Sequence, residues 1–299
     1  MPRLSEQELA ERRNGMGSTC IVEANGLAPW KGAGPMRLYC EKMGIASPDD
    51  AEEDPEREEW LEWGHVQEPI IADWYERTYR VNLQLGGPVT SLEEPKFWAT
   101  LDRSIIGANK LVEIKNVGSP QLYSHWDVSS QDGVPRYVRA QVTIAMHFHG
   151  ARETDVVAAI GGRPPHVWTV AYDAELAELL MKGAHRFWYE FVGQAIAPPL
   201  DATDATRAYL KHKYPANVDR VMVEVNDEQI ERIAASRDDA ATKEKDAIAT
   251  KRAADAYLMD RCGDADGIFG LWGKFTWKAD KNGKRVSRFT RFTGRVDDE

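Results

Sequence analysis

The feature that most constrains this chain is a change of hydrophobic period along its first two-thirds, where helical spacing and two-residue alternation take turns. A helix is expected from Asp54, with Pro55 in its first turn, to about Tyr79; the acids there suit the positive end of the helix dipole. Extended segments follow at 89–92, 97–102 and 111–115, the last two joined by a turn-rich loop. A helix begins after Pro135 and stops at Gly150. Strands at 155–160 and 166–172 flank Gly161-Gly162-Arg163-Pro164, and Asp173 caps a helix to about Val192. Upstream, Ser5 caps a short helix ending near Arg13, and Ser18 caps a second through Ala24. This order describes an α/β (α+β) fold with a mixed central sheet flanked by helices.

The pattern breaks between Ala195 and Pro199, which divides the chain into a core, 1–195, and an extension, 196–299. The extension holds a charged, alanine-rich helix at about 227–260 and a basic hairpin. At 299 residues and 42% apolar content the chain can build one sizeable core with an appendage. No stretch approaches the roughly 20 apolar residues of a membrane span, and a polar N-terminus points to the cytoplasm. Cys20, Cys40 and Cys262 form no CxxC pair, which speaks against a disulfide framework, a zinc knuckle and a cysteine-held iron–sulfur cluster.

The net charge of −10 is uneven. Nine acids and one base lie between Asp49 and Glu62, whereas eight bases and one acid lie between Lys274 and Arg295. Local patches rather than the total govern what approaches a surface, so a polyanionic partner remains compatible.

In the strand Leu111-Val112-Glu113-Ile114-Lys115, alternation puts Glu113 and Lys115 on one face. Asp102 ends the preceding extended segment. If the two pair as a hairpin, Asp102 and Glu113 converge on one hard cation, with positions left for water and phosphate oxygens, as magnesium requires. Lys115 beside them is held charged and can orient water or neutralise a phosphate. Alone, Glu-x-Lys reads first as a cross-strand ion pair, and only the polar residues around it raise the catalytic reading. Glu68 lies four residues after Gly64 on the Trp-rich helix, where it would complete a metal shell or stand solvated. Gln141 shares a helix face with Tyr137 and Ala145, as a partner of water or phosphate or as the edge of an apolar stripe. Arg13 and Ser18 border a glycine turn that opens a helix, an anion site or a plain cap.

Seven segments together resemble the YqaJ-type viral recombinase and lambda exonuclease family of the PD-(D/E)xK nuclease superfamily: GMGST at 15–19, WGHVQEPII at 63–71, ATLD at 99–102, LVEIKN at 111–116, VPRYVRAQV at 134–142, VVAAIGG at 156–162 and FWYEFV at 187–192. The resemblance implies a restriction-endonuclease-like core and two-magnesium hydrolysis of DNA, with manganese able to substitute. It makes Asp102, Glu113 and the Ile114 main-chain carbonyl metal ligands, Lys115 the catalytic lysine, and Glu68 and Gln141 supporting positions. Arg13, Ser18 and Tyr137 fall to substrate binding, the first two at the 5′-phosphate. A ring-shaped trimer digesting duplex ends 5′ to 3′ beside a single-strand annealing protein is implied as well. An endonuclease or nickase with the same site, or a non-catalytic DNA-binding or assembly protein, are the alternatives; the extra hundred residues separate this chain from the family pattern.

In the extension an Asn-Gly turn at 282–283 signals a hairpin. Its bases, among them Lys278, Arg285 and Arg288, alternate with Phe275, Trp277, Phe289 and Phe292, as a nucleic-acid track or as a hairpin with one solvated face. His147 and His149 diverge on their helix, Asp264-Ala-Asp266-Gly lacks later calcium ligands, and Gly32-Ala-Gly34 opens no βαβ unit.

Overall fold

A computed structural model describes residues 13–45, 55–118, 123–216, 222–281 and 283–291. The expected starts at Ser5 and Asp54, and Asn282 and Phe292 of the hairpin, lie outside them.

The first half runs β1 (Met16–Gly17), α1 (Ser18–Ala24), α2 (Pro35–Met43), α3 (Pro55–Tyr79), β2 (Leu83–Leu85), β3 (Pro88–Thr90), β4 (Phe97–Thr100), β5 (Arg103–Ile105) and β6 (Lys110–Val117). It continues through α4 (Arg136–His149), β7 (Glu153–Ile160), β8 (His166–Ala171), α5 (Ala174–His185), a π-helical turn over Arg186–Val192, and α6 (Asp204–Lys213). A five-stranded sheet has the order β2-β5-β6-β7-β8, with β6 and β7 parallel and the other pairs antiparallel. A second sheet, β1-β4-β3, stands apart. The mixed central sheet flanked by helices is therefore as expected.

Strand alternation decides which helix each side chain meets. Val112 and Ile114 of β6 and Val157 of β7 pack under Ile71, Ala72 and Tyr75 of α3. Leu111, Val117, Val156 and Ala158 join the larger core with Val138, Val142 and Ala145 of α4. Both faces of β6 are covered, so its Val, Ile and Leu each contribute roughly 2 kcal/mol or more of burial. A polar tie fixes α3 over the sheet: the Tyr75 hydroxyl donates to buried Asp155, which also accepts from Thr169 Oγ1 at 2.6 Å and pairs with Lys110 at 2.8 Å.

Three corrections concern the site. The expected strand 97–102 splits: β4 ends at Thr100 in the second sheet, and the chain crosses at Leu101-Asp102 into β5 of the central sheet. The hairpin partner of β6 is therefore β5, with Arg103 opposite Val112, rather than the segment carrying Phe97. The cap of α1 is Gly17, and Ser18 is its buried first residue with no capping hydrogen bond. Asp173 does cap α5, accepting from the Leu176 N–H at 2.9 Å, but regular α-helix stops at His185.

Contacts divide the chain into 1–216 and 217–299. The first of these contact units includes α6, which buries Ala205 and Thr206 and lays Tyr209 edge-on against Tyr39 of α2. Taken by itself, the second unit is α7 (Glu228–Cys262), capped by Asp227, and the antiparallel sheet of β9 (Gly267–Gly270), β10 (Gly273–Ala279) and β11 (Arg285–Thr290). Arg285 lies over the Trp277 ring at 3.8 Å and donates to the carbonyls of Gly263, Ala265 and Trp277, so it pins the sheet to the end of α7.

Candidate active site at the junction of two sheets

Asp102 sits where the chain passes between sheets, and its backbone is held there. Its carbonyl accepts from the Gly86 N–H at 2.9 Å and from Arg103 Nη1 at 2.7 Å. Gly86 is required at this crossing, since a Cβ on it would stand 2.1 Å from the Leu101 carbonyl oxygen. With the backbone fixed, Asp102 Oδ2 accepts the Ile114 N–H at 2.8 Å. A carboxylate thus takes the place a further β5 residue would occupy beside β6. In a strand the N–H and C=O of one residue face the same neighbour, so the Ile114 carbonyl is turned toward this edge as well.

On the α4 side of β6, Lys115 Nζ donates to Glu113 Oε1 at 2.5 Å and to Gln141 Oε1 at 3.2 Å, while Gln141 Nε2 donates to Glu113 Oε1 at 3.0 Å. The three side chains close a ring of hydrogen bonds across β6 and α4. Glu113 Oε2 and Asp102 Oδ1 accept no hydrogen bond from the described residues.

The electrostatics match this geometry. Burial, then the charge of Glu113, pushes the Asp102 carboxyl up from 3.8 to about 7, against the opposing pull of Lys115 and the Ile114 N–H. Burial alone would lower the Lys115 ammonium, but Glu113 and Asp102 outweigh it and its pKa is raised. The lysine stays charged and still leaves two carboxylates facing one cation. Their hard oxygen donors, two of them without a hydrogen bond, fit a divalent cation, with the Ile114 carbonyl as a further oxygen.

The remaining expected residues divide. Tyr137 stands one helical turn before Gln141 and within the field of Lys115; burial raises its hydroxyl pKa, and Lys115 works against that rise. Glu68 faces the same corner, but its Oε1 receives Arg103 Nη1 at 2.7 Å. Among the described residues no three His, Cys, Asp or Glu side chains gather for a metal, and Glu68 is paired with Arg103, the neighbour of Asp102 in the chain. Sequence reasoning missed Arg103. Its signal was adjacency to Asp102, whereas its partner is 35 positions away. Arg13 is exposed, and Ser18 is buried within a helix of seven residues. Lys278 and Arg288 are exposed on the second unit, Lys278 lying 4.0 Å from Asp266. No helix among the described residues is long and apolar enough to cross a membrane.

Comparison with known proteins bears out the family resemblance. Residues 9–152, which include Glu68, Asp102, Glu113, Lys115 and Gln141, match the YqaJ-like viral recombinase domain. The chain is 26% identical over 237 residues to the uncharacterized protein YqaJ of Bacillus subtilis, covering 76% of this chain and 69% of that one. Among solved structures, the alkaline exonuclease LHK-Exo of Laribacter hongkongensis, in complex with dAMP, aligns over 70% of this chain and 97% of its own at 17% identity and a TM-score of 0.49. A phage-related exonuclease of Haemophilus somnus aligns over 60% and 96% at 9% identity and a TM-score of 0.43.

Proposed function

With residues 9–152 matching a YqaJ-like viral recombinase domain, we propose that this chain is a magnesium-dependent DNA nuclease that digests duplex DNA from an end, 5′ to 3′, in recombination. The observation that carries the reading is the meeting of Asp102 and Glu113, each with a carboxylate oxygen that accepts no hydrogen bond from the described residues, beside a charged Lys115. The names of the aligned exonucleases agree with this reading.

Asp102, Glu113 and the Ile114 carbonyl would hold the cation, which when bound supplies charge stabilisation at the scissile phosphate and lowers the pKa of water. Lys115 offers its ammonium to the phosphate or to the attacking water. Gln141 holds Glu113 and Lys115 in register from α4, and its amide keeps the lysine from collapsing wholly onto the glutamate. Arg103 tethers Glu68 at the rim, and Tyr137 is available on the same helix face for substrate contact. Manganese would substitute for magnesium at such an oxygen site. A homo-oligomer and a single-strand annealing partner belong to the same proposal, as does assignment of the nuclease core to 1–195.

The test is incubation with magnesium on linear 5′-phosphorylated duplex DNA and on the same DNA as a closed circle. Loss of the linear form alone is expected. Cutting of both would replace the exonuclease with an endonuclease or nickase, and cutting of neither with either metal would leave a binding or assembly protein.

A further inference from the structure

A cleft of about 480 Å³ opens beside the C-terminal ends of the parallel strands β6 and β7, under α3. That end of parallel strands is where α/β sheets commonly receive ligands, and the size suits a nucleotide. Its walls are Trp63, Ile70 and Trp74 of α3, with Tyr123 and the Gly161-Gly162 turn opposite. Trp63 is half exposed, so its ring can meet an entering group. Both glycines have positive φ, +61° and +74°, and the Tyr123 ring lies 3.2 Å from where a Gly161 Cβ would stand. The turn is thus held close against an aromatic face.

The polar groups here are the unusual part. Gln67 and Asn116 line the cleft, and neither side-chain amide has a hydrogen-bond partner among the described residues. Arg163 at the rim is exposed and forms no ion pair among them. Aromatic faces, two unpartnered amides and a free guanidinium are what an unpaired nucleotide uses: rings for its base, amides for the base edge, a cation for its phosphate. Asn116 directly follows Lys115 along β6 but, by strand alternation, faces α3, whereas Lys115 faces Gln141 of α4, so the cleft lies on the sheet face opposite the candidate catalytic lysine.

We propose that the cleft is a stacking subsite for an unpaired base of the DNA that the nuclease handles. The proposal rests on the nuclease reading for the identity of the polymer, but its binding test needs no hydrolysis. Anisotropy of a labelled twelve-nucleotide thymidine strand is measured with the full chain in EDTA, for wild type, Trp63→Ala and Asn116→Ala. One stacked base corresponds to roughly 1–3 kcal/mol, so Trp63→Ala is expected to weaken binding about tenfold, and Asn116→Ala by a smaller factor. An abasic strand of equal length should bind wild type as weakly as the thymidine strand binds Trp63→Ala.

Equal affinity of wild type and Trp63→Ala for the thymidine strand, or of wild type for thymidine and abasic strands, overturns the proposal. So does a change of subunit number in Trp63→Ala by sedimentation, which would make the cleft an interface between copies. Trp63 lies on the helix surface, so a folding failure is not expected, and thermal unfolding of both variants checks this. The nuclease reading fails separately, through absence of magnesium-dependent cleavage by the wild type.

Discussion

Replacing Asp102 by asparagine should stabilise the metal-free protein while abolishing its activity. The Asp102 carboxyl is held at about 7 against an ordinary 3.8 by burial and by Glu113. A rise of about three pH units corresponds to ~4 kcal/mol at ~1.4 kcal/mol per unit. Asparagine keeps an oxygen for the Ile114 N–H but loses the charge that strengthens that bond, and Glu113 and Lys115 readjust, so a net gain of about 2 kcal/mol is expected. For a unit of this size that raises the melting temperature by about 4–8 °C. The sign follows from proton linkage. Between about pH 4 and pH 7 the native carboxyl holds a proton that the unfolded one has released, so wild-type stability falls across that window and is lowest above it. The variant lacks this dependence. Thermal unfolding of both proteins in EDTA should therefore show the full gap at pH 8 and a closing gap as pH falls toward 4. Magnesium at pH 8 should raise the wild type and leave Asp102→Asn unmoved. A gap absent at pH 8, or constant from pH 8 to pH 4, would refute the reasoning.

Lys115→Met removes the cation between Asp102 and Glu113 and should lower kcat by about 100-fold or more, with duplex affinity in EDTA nearly unchanged; single-turnover cleavage and anisotropy separate the two effects. Gly86→Ala places a Cβ against the Leu101 carbonyl, so a loss of roughly 1–3 kcal/mol should accompany reduced cleavage as Asp102 is displaced, read by denaturant unfolding and kinetics on one preparation. Arg285→Ala frees the carbonyls of Gly263 and Ala265. Faster amide exchange confined to β9, β10 and β11 is expected, with residues 13–216 unaffected.

Much of the site was legible because it lies on long elements. Eight residues of β6 and fourteen of α4 carry strong periodicities, and these alone put Glu113 and Lys115 on one face and Gln141 on an inward stripe. The position of Asp102 was legible, but the way it reaches Glu113 was not. β2 and β5 are three residues each, too short for alternation to register, and β4 leaves the sheet before Asp102. The crossing depends on Gly86 meeting Leu101, a contact between distant residues that no local pattern encodes. Glu68 was read as completing a metal shell or standing solvated, and its ion pair was not legible because Arg103 belongs to one of those short strands. Ser18 looked like a cap by residue type, yet Gly17 takes the cap position with its ring neighbour Trp98 close behind it. In the extension, α7 and the hairpin followed from charge and turn signals, whereas β9 is glycine-rich and hid beside an acidic loop. Arg285 seemed one more base for a polyanion; its hydrogen bonds to three backbone carbonyls make it a structural pin.

The central claim is that Asp102 and Glu113 together hold the cation that makes this chain a nuclease. The most direct measurement is release of nucleotides from linear 5′-phosphorylated duplex DNA in magnesium by the wild type and by the Asp102→Ala, Glu113→Ala double variant, each shown to be folded. The account predicts steady release by the wild type, ended by EDTA, and none above background by the double variant. Full activity in the double variant would contradict it.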